Sequence, residues 1–260
     1  MFKVQNLYEV KRIRNILFLI PCSLFLFACS SKDPILPGER HAVFNTGRVT
    51  ILDRPVPESA LAEIRQDAPR KNEYRQDHNN LIWRESSAGP VRIFSGFPTP
   101  AHVRGERRPT VTDTAVFAGL STGEVVKVNR ATRNLEWVAD VFRASAMTGG
   151  SSILDIVAPV IVVEDRFVYA GGLGNAFCKL NASSGVRIWC ADIATGVPFV
   201  VRAGVSYVAG TDGYLYAVDN NTGGAFWRAE VRKQRKPELV KGTVVIGRDR
   251  FDALTGEAKN

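Results

Sequence analysis

Histidine, methionine and cysteine are scarce in this 260-residue chain, with three, two and four copies respectively. His41, His78 and His102 stand far apart without the spacing of a metal-binding set, so a histidine-built metal centre is excluded. The acidic residues do not gather as a calcium site would require. Long apolar runs are missing too. The stretch from Ile16 to Phe27 has only 12 residues, too few to cross a bilayer comfortably, and no other segment comes closer. Gly171-Gly172-Leu173-Gly174 is glycine-rich but sits in a strand–turn–strand pattern and not ahead of a helix, which argues against a phosphate-cradling loop.

A dominant charge is also lacking. The formal net charge is +8, but the first 28 residues hold four basic residues and one acidic one, leaving 30 against 25 in the remainder. These are spread thinly and form no compact Lys/Arg stripe, so no nucleic-acid partner is expected. With 45% apolar and 23% charged residues, the chain can bury a core and is not of disordered composition.

What is present begins with a leader. Lys3, Lys11, Arg12 and Arg14 precede the apolar stretch, as in a secretory signal. The stretch ends Leu26-Phe27-Ala28-Cys29, which resembles the lipobox of bacterial lipoproteins. The resemblance implies cleavage after residue 28 and acylation (diacylglycerol and palmitate) of Cys29. Ser30 and Ser31 in place of aspartate imply sorting to the outer membrane, on its periplasmic face. Each acyl CH₂ buried in lipid is worth about 0.8 kcal/mol, so several chains anchor almost irreversibly. An ordinary cleaved signal, or a membrane anchor with an incidental cysteine, remains the alternative. Residues 29–80 are rich in turns and prolines (Pro34, Pro37, Pro55, Pro57, Pro69) and read as a tether.

From residue 81 a repeat takes over. Pro109, Pro159, Pro198 and Pro237 each open a unit that reaches a polar anchor at Asn129, Asn181, Asp219 or Asp252. Three units then close on Trp137, Trp189 and Trp227. About four short strands per unit of roughly 33–52 residues is a propeller pattern. The expected fold is therefore all-β: a small β-propeller of about four recognisable blades over residues 81–260. Trp83, on Leu81–Arg84, has no upstream repeat, and the fourth unit stops where its tryptophan would fall. The N-terminal Trp83 strand is thus expected to complete the last blade. A turn at Ala182–Gly185 would pair Cys178 with Trp189, putting Cys190 on the other face; two separate thiols are favoured over a disulfide.

Val208-Ala209-Gly210-Thr211-Asp212-Gly213-Tyr214-Leu215-Tyr216-Ala217-Val218-Asp219 resembles a PQQ-type repeat. Together with the lipobox, and with Val103-Arg104-Gly105-Glu106-Arg107-Arg108-Pro109 and Leu154-Asp155-Ile156-Val157-Ala158-Pro159, the chain resembles a shortened member of the BamB family. That family's propellers normally have about eight blades. The resemblance implies an outer-membrane lipoprotein of the barrel-assembly machinery, non-enzymatic and without cofactor. Its implied partners are the barrel subunit BamA, contacted through Val103, Arg104 and Asp155, the membrane lipids, and unfolded outer-membrane proteins. Quinoprotein dehydrogenases share such repeats, but their vicinal cysteine pair is absent here. A quinoprotein-like remnant and a structural or cell-wall-binding lipoprotein stand as alternatives.

Overall fold

A computed structural model describes residues 49–67, 73–100, 103, 105, 107–142 and 153–259. The leader, Cys29 and Arg104 lie outside the described residues. The described residues form five small antiparallel sheets in chain order, with one short 3-10 turn at Glu58–Leu61. Blade one is Tyr74–Gln76, Leu81–Arg84 and Val91–Ser95; blade two is Thr110–Val111, Ala115–Gly119, Glu124–Asn129 and Leu135–Asp140. Blade three runs Ile161–Val163, Phe167–Gly172, Ala176–Asn181 and Arg187–Ala191. Blade four runs Val200–Val201, Val205–Ala209, Tyr214–Asp219 and Ala225–Glu230, and blade five Glu238–Val240, Thr243–Ile246 and Asp249–Asp252.

The middle strands of blades two, three and four are apolar on both faces because each of these blades lies between two others. In Ala115–Gly119 every residue is buried, and the two-residue period of the strand sends alternate side chains to opposite neighbours. Val116 and Ala118 join Tyr74 and Ile82 of blade one, whereas Phe117 and Val125 join Ala170 and Cys178 of blade three. Blade four repeats the arrangement: Val208 and Tyr216 face blade three, Tyr207 and Leu215 face blade five. Glu164 and Asp165 turn the hairpin of blade three with φ of 52° and 54°, the primed geometry that suits strand twist.

Three expectations need correction. The Trp83 strand does not complete the last blade. It is the middle strand of blade one, paired on one side with Tyr74–Gln76 and on the other with Val91–Ser95, and its Ile82 is buried against blade two. Blade five keeps three strands, with Phe251 bridged to Ala258. Among the described residues no core cluster joins blades one and five. In blade one Phe94, not a tryptophan, holds the closing register, which offsets the repeat. It stands opposite Ile82 beside the same bulge that places Trp137, Trp189 and Trp227 opposite Lys127, Lys179 and Ala217.

The tether boundary at 80 also moves. Residues 49–67 form a strap across blades five, four and three. Leu52 N–H donates to the Ala225 carbonyl at 2.8 Å, Val56 N–H to Leu254 at 2.9 Å, and Gly204 N–H to Ala60 at 3.0 Å. Val56 and Ala60 are buried, and Gln66–Asp67 adds a strand to Ile161–Val163. The prolines that break regular structure here still permit this extended path.

Finally, Cys178 and Cys190 are joined by a disulfide, with Cα atoms 4.1 Å apart. The bulge at Lys179/Leu180 shifts the register by one residue, so that Trp189 faces Lys179 and the two cysteines face each other. One extra residue on a strand turns every later side chain to the other face.

Candidate partner-binding loop

The polar anchors build the blade-closing turns. Asn129 Oδ1 accepts the backbone N–H of Ala131 and Thr132, both at 3.0 Å; Asn181 Oδ1 does so for Ser183 and Ser184, and Asp252 Oδ1 for Leu254 and Thr255. Asp219 accepts from Asn221 N–H at 2.9 Å and from the Thr222 hydroxyl. A short oxygen-bearing side chain substituting for a backbone carbonyl is the usual Asx device. Four residues past the anchor, Arg133, Gly185, Gly223 and Gly256 have φ of 63–79°.

These turns are where blades lock together. Trp137 Nε1 donates to the Ala182 carbonyl at 3.1 Å, and Trp189 Nε1 to the Asn220 carbonyl at 3.0 Å, in each case in the turn of the following blade. The indoles lie on the bare glycines: a Cβ at Gly185 would stand 2.8 Å from Trp137, and one at Gly256 2.6 Å from Trp227. Asn220 is the hub of the third junction. Its carbonyl also accepts Lys179 Nζ at 3.0 Å, and its side chain joins the Ser206 hydroxyl and the Arg202 carbonyl. Burial pushes the Lys179 ammonium pKa down, with Arg166 adding to the effect and Asp219 opposing it. Trp83 has another part. It is half-buried on blade one with the Arg75 guanidinium 4.9 Å from its ring centroid.

The segment singled out around residues 103–109 enters blade two, and Asp155 lies on the connection between blades two and three. Asp155 is fully buried, so it is not a surface contact for a partner. Its Oδ2 accepts the Val103 backbone N–H and the Arg107 Nη2. The Arg107 side chain is buried as well, 7% exposed, and a second Nη2 contact reaches the Val103 carbonyl at 3.1 Å. The guanidinium and the amide compensate the lost hydration of Oδ2, whereas Asp155 Oδ1 and Arg107 Nε are buried without a hydrogen-bond partner among the described residues. Gly105 packs flush on Val157, where a Cβ would collide. Ile156 N–H is in turn tied to the Leu120 carbonyl at 3.1 Å, and Leu173 N–H to that of Asp155 at 2.9 Å. The loop is thus fastened to both blades.

Sequence reasoning missed the second fastener. Asn80, buried with φ of 61°, donates to the Phe97 carbonyl at 2.7 Å and the Ser121 hydroxyl at 2.8 Å, and accepts Ser121 N–H. This holds residues 96–99, which lead into the loop. Its signal was the Asp77-His78-Asn79-Asn80 turn composition, which points to a turn but not to a long-range bond. Phe97 beside it is 82% exposed. Among the described residues no group of three His, Cys, Asp or Glu lies together as a metal site.

The comparisons with known proteins agree with this architecture. The profile of the family described as "Outer membrane protein assembly factor BamB" matches residues 80–229 and 178–258. The protein of that name from Yersinia pestis is 27% identical over 166 residues, covering 62% of this chain and 42% of its own length. The one from Kangiella koreensis is 28% identical over 137 residues, covering 52% and 34%. The chain thus spans less than half the length of these two relatives. The crystal structure of BamB from Moraxella catarrhalis aligns with TM-score 0.51 at 17% identity, over 78% of this chain and 61% of that one. With a propeller body whose inter-blade turns, and most of whose length, match one family, this chain belongs to the BamB family of outer membrane protein assembly factors.

Proposed function

We propose that this chain is a lipid-anchored accessory of outer-membrane protein assembly, acting by binding and not by chemistry. Acylated Cys29 holds it to the periplasmic face of the outer membrane. The barrel subunit BamA is its partner, and unfolded outer-membrane proteins are further clients. The observation that carries the reading is the buried Asp155–Arg107 clamp on Val103. Loops on a rigid scaffold are where recognition residues sit, and positions fixed to that scaffold, as Val103 is, lose little entropy on binding. In sequence Arg104 stands between clamped Val103 and packed Gly105, and in this reading it is the residue that contacts the partner. Asp155 then acts as a positioning residue.

Pull-down of BamA from detergent-solubilised membranes tests this with Arg104→Glu against Arg187→Glu. Arg187 lies exposed on the outer strand of blade three. Arg130 is unsuited as the control, because it pairs with Glu73 at 2.6 Å and joins blades one and two. Reversing an interfacial charge whose partner is buried costs at least about 2–5 kcal/mol, so Arg104→Glu should lose capture at unchanged thermal midpoint. Equal capture by the two variants would place the binding face elsewhere.

A further inference from the structure

Blade five is entered through Val231-Arg232-Lys233-Gln234-Arg235-Lys236-Pro237, and its last two strands turn at Gly247-Arg248. Along the chain these are two short basic stretches, and no stripe is evident. The fold sets them around one cleft of about 540 Å³, whose lining includes Arg232, Lys233, Arg235, Gly247, Arg248 and Asp249.

The one carboxylate among its described lining residues is already engaged by Arg232. Asp249 accepts the Arg232 backbone N–H at 3.0 Å through one oxygen, and Arg232 Nε at 2.9 Å through the other. Among the described residues no carboxylate pairs with Lys233, Arg235 or Arg248, and all three are exposed. Their placement is specified. Gln234 Nε2 donates to the Ala209 carbonyl at 3.0 Å, fastening the loop to blade four between Lys233 and Arg235. Gly247 turns with φ of 60°, and a Cβ there would stand 3.2 Å from Arg235 Cδ, so the bare turn accommodates the arginine stem.

The geometry points to a binding site for a phosphate-bearing anion in this cleft. Two guanidinium forks match phosphate oxygens in bidentate fashion, and a lysine adds a point charge. The volume lies within the range of small-molecule sites and exceeds what a lone phosphate fills, so a headgroup-sized ligand fits. A phospholipid headgroup and a soluble diphosphate share this chemistry. The site is separate from the 103–107 loop, and its test does not depend on the partner.

The full chain is titrated calorimetrically with pyrophosphate. It is also floated with phosphatidylcholine vesicles with and without phosphatidylglycerol. Arg235→Ala/Arg248→Ala is compared with Arg92→Ala/Arg187→Ala, an equal loss of charge elsewhere. The wild type should bind at least one probe, more weakly at high salt. The first pair should weaken binding at least tenfold, and the second should leave it unchanged. Binding to phosphatidylglycerol vesicles alone assigns a lipid headgroup; binding to pyrophosphate alone assigns a soluble ligand. Arg235→Lys/Arg248→Lys keeps the charge and folding while removing the forks, and should fall between wild type and the alanine pair. Binding of neither probe, or an equal loss in both alanine pairs, overturns the proposal.

Discussion

At the scale of single residues, a missing Cβ decides how consecutive blades meet. Gly185 carries the Trp137 indole on its bare Cα, with φ of 72°. Alanine there meets two penalties: the left-handed backbone, and a methyl 2.8 Å from the ring. Gly213 isolates the first, because its φ is 86° and a Cβ would meet nothing within 4 Å. Gly213→Ala should cost about 1 kcal/mol. Gly185→Ala should cost a further 1–3 kcal/mol or so for overpacking. Urea denaturation of both variants measures the difference, and equal costs would mean that the indole gives way freely. Blade two has Arg133 in this turn position, exposed at φ of 63°. The blade before it has Phe94 in the tryptophan register.

At the scale of an element, the third blade is cross-linked between its last two strands. The disulfide joins residues 12 apart in sequence, and closing a loop of that size is worth about 3 kcal/mol in the chain-entropy account. Cys178 is fully buried in the core shared with blade two, so a small apolar replacement keeps most of the packing. Cys178→Ala/Cys190→Ala should therefore lower unfolding free energy by about 2–3 kcal/mol without changing the fold, as chemical denaturation and circular dichroism would show. Alkylation of the unreduced, denatured wild type should leave both thiols unmodified; labelling of either would remove the cross-link from the account.

At the scale of the whole molecule, each core is shared only by consecutive blades, so stability is close to a sum of nearest-neighbour junctions. The strap breaks this evenness, because Val56 and Ala60 are packed into the core of blades four and five while Gln66–Asp67 pairs with blade three. Blade one has three strands and is joined to blade two through Tyr74, Ile82, Val116 and their neighbours. Ile82→Ala should cost about 2–5 kcal/mol at this junction. Native-state hydrogen exchange should then quicken across residues 74–95 and stay unchanged across 205–219. Equal acceleration in both stretches would mean that the body opens as one cooperative unit.

The anchors and glycines were legible from the chain alone, because an Asx turn and a positive φ are local requirements answered by local residues. Asn129, Asn181, Asp219 and Asp252 each do what their place in the repeat announces. Tertiary structure alone decided the rest. A one-residue bulge brought Cys178 opposite Cys190, and no local pattern marks where a strand slips. Asp155 and Arg107 became a buried clamp only when residues 48 apart met, and the strap and the basic cleft likewise depend on segments distant in sequence. Local chemistry settles what a residue can do, whereas register and long-range contact settle which neighbour it does it to.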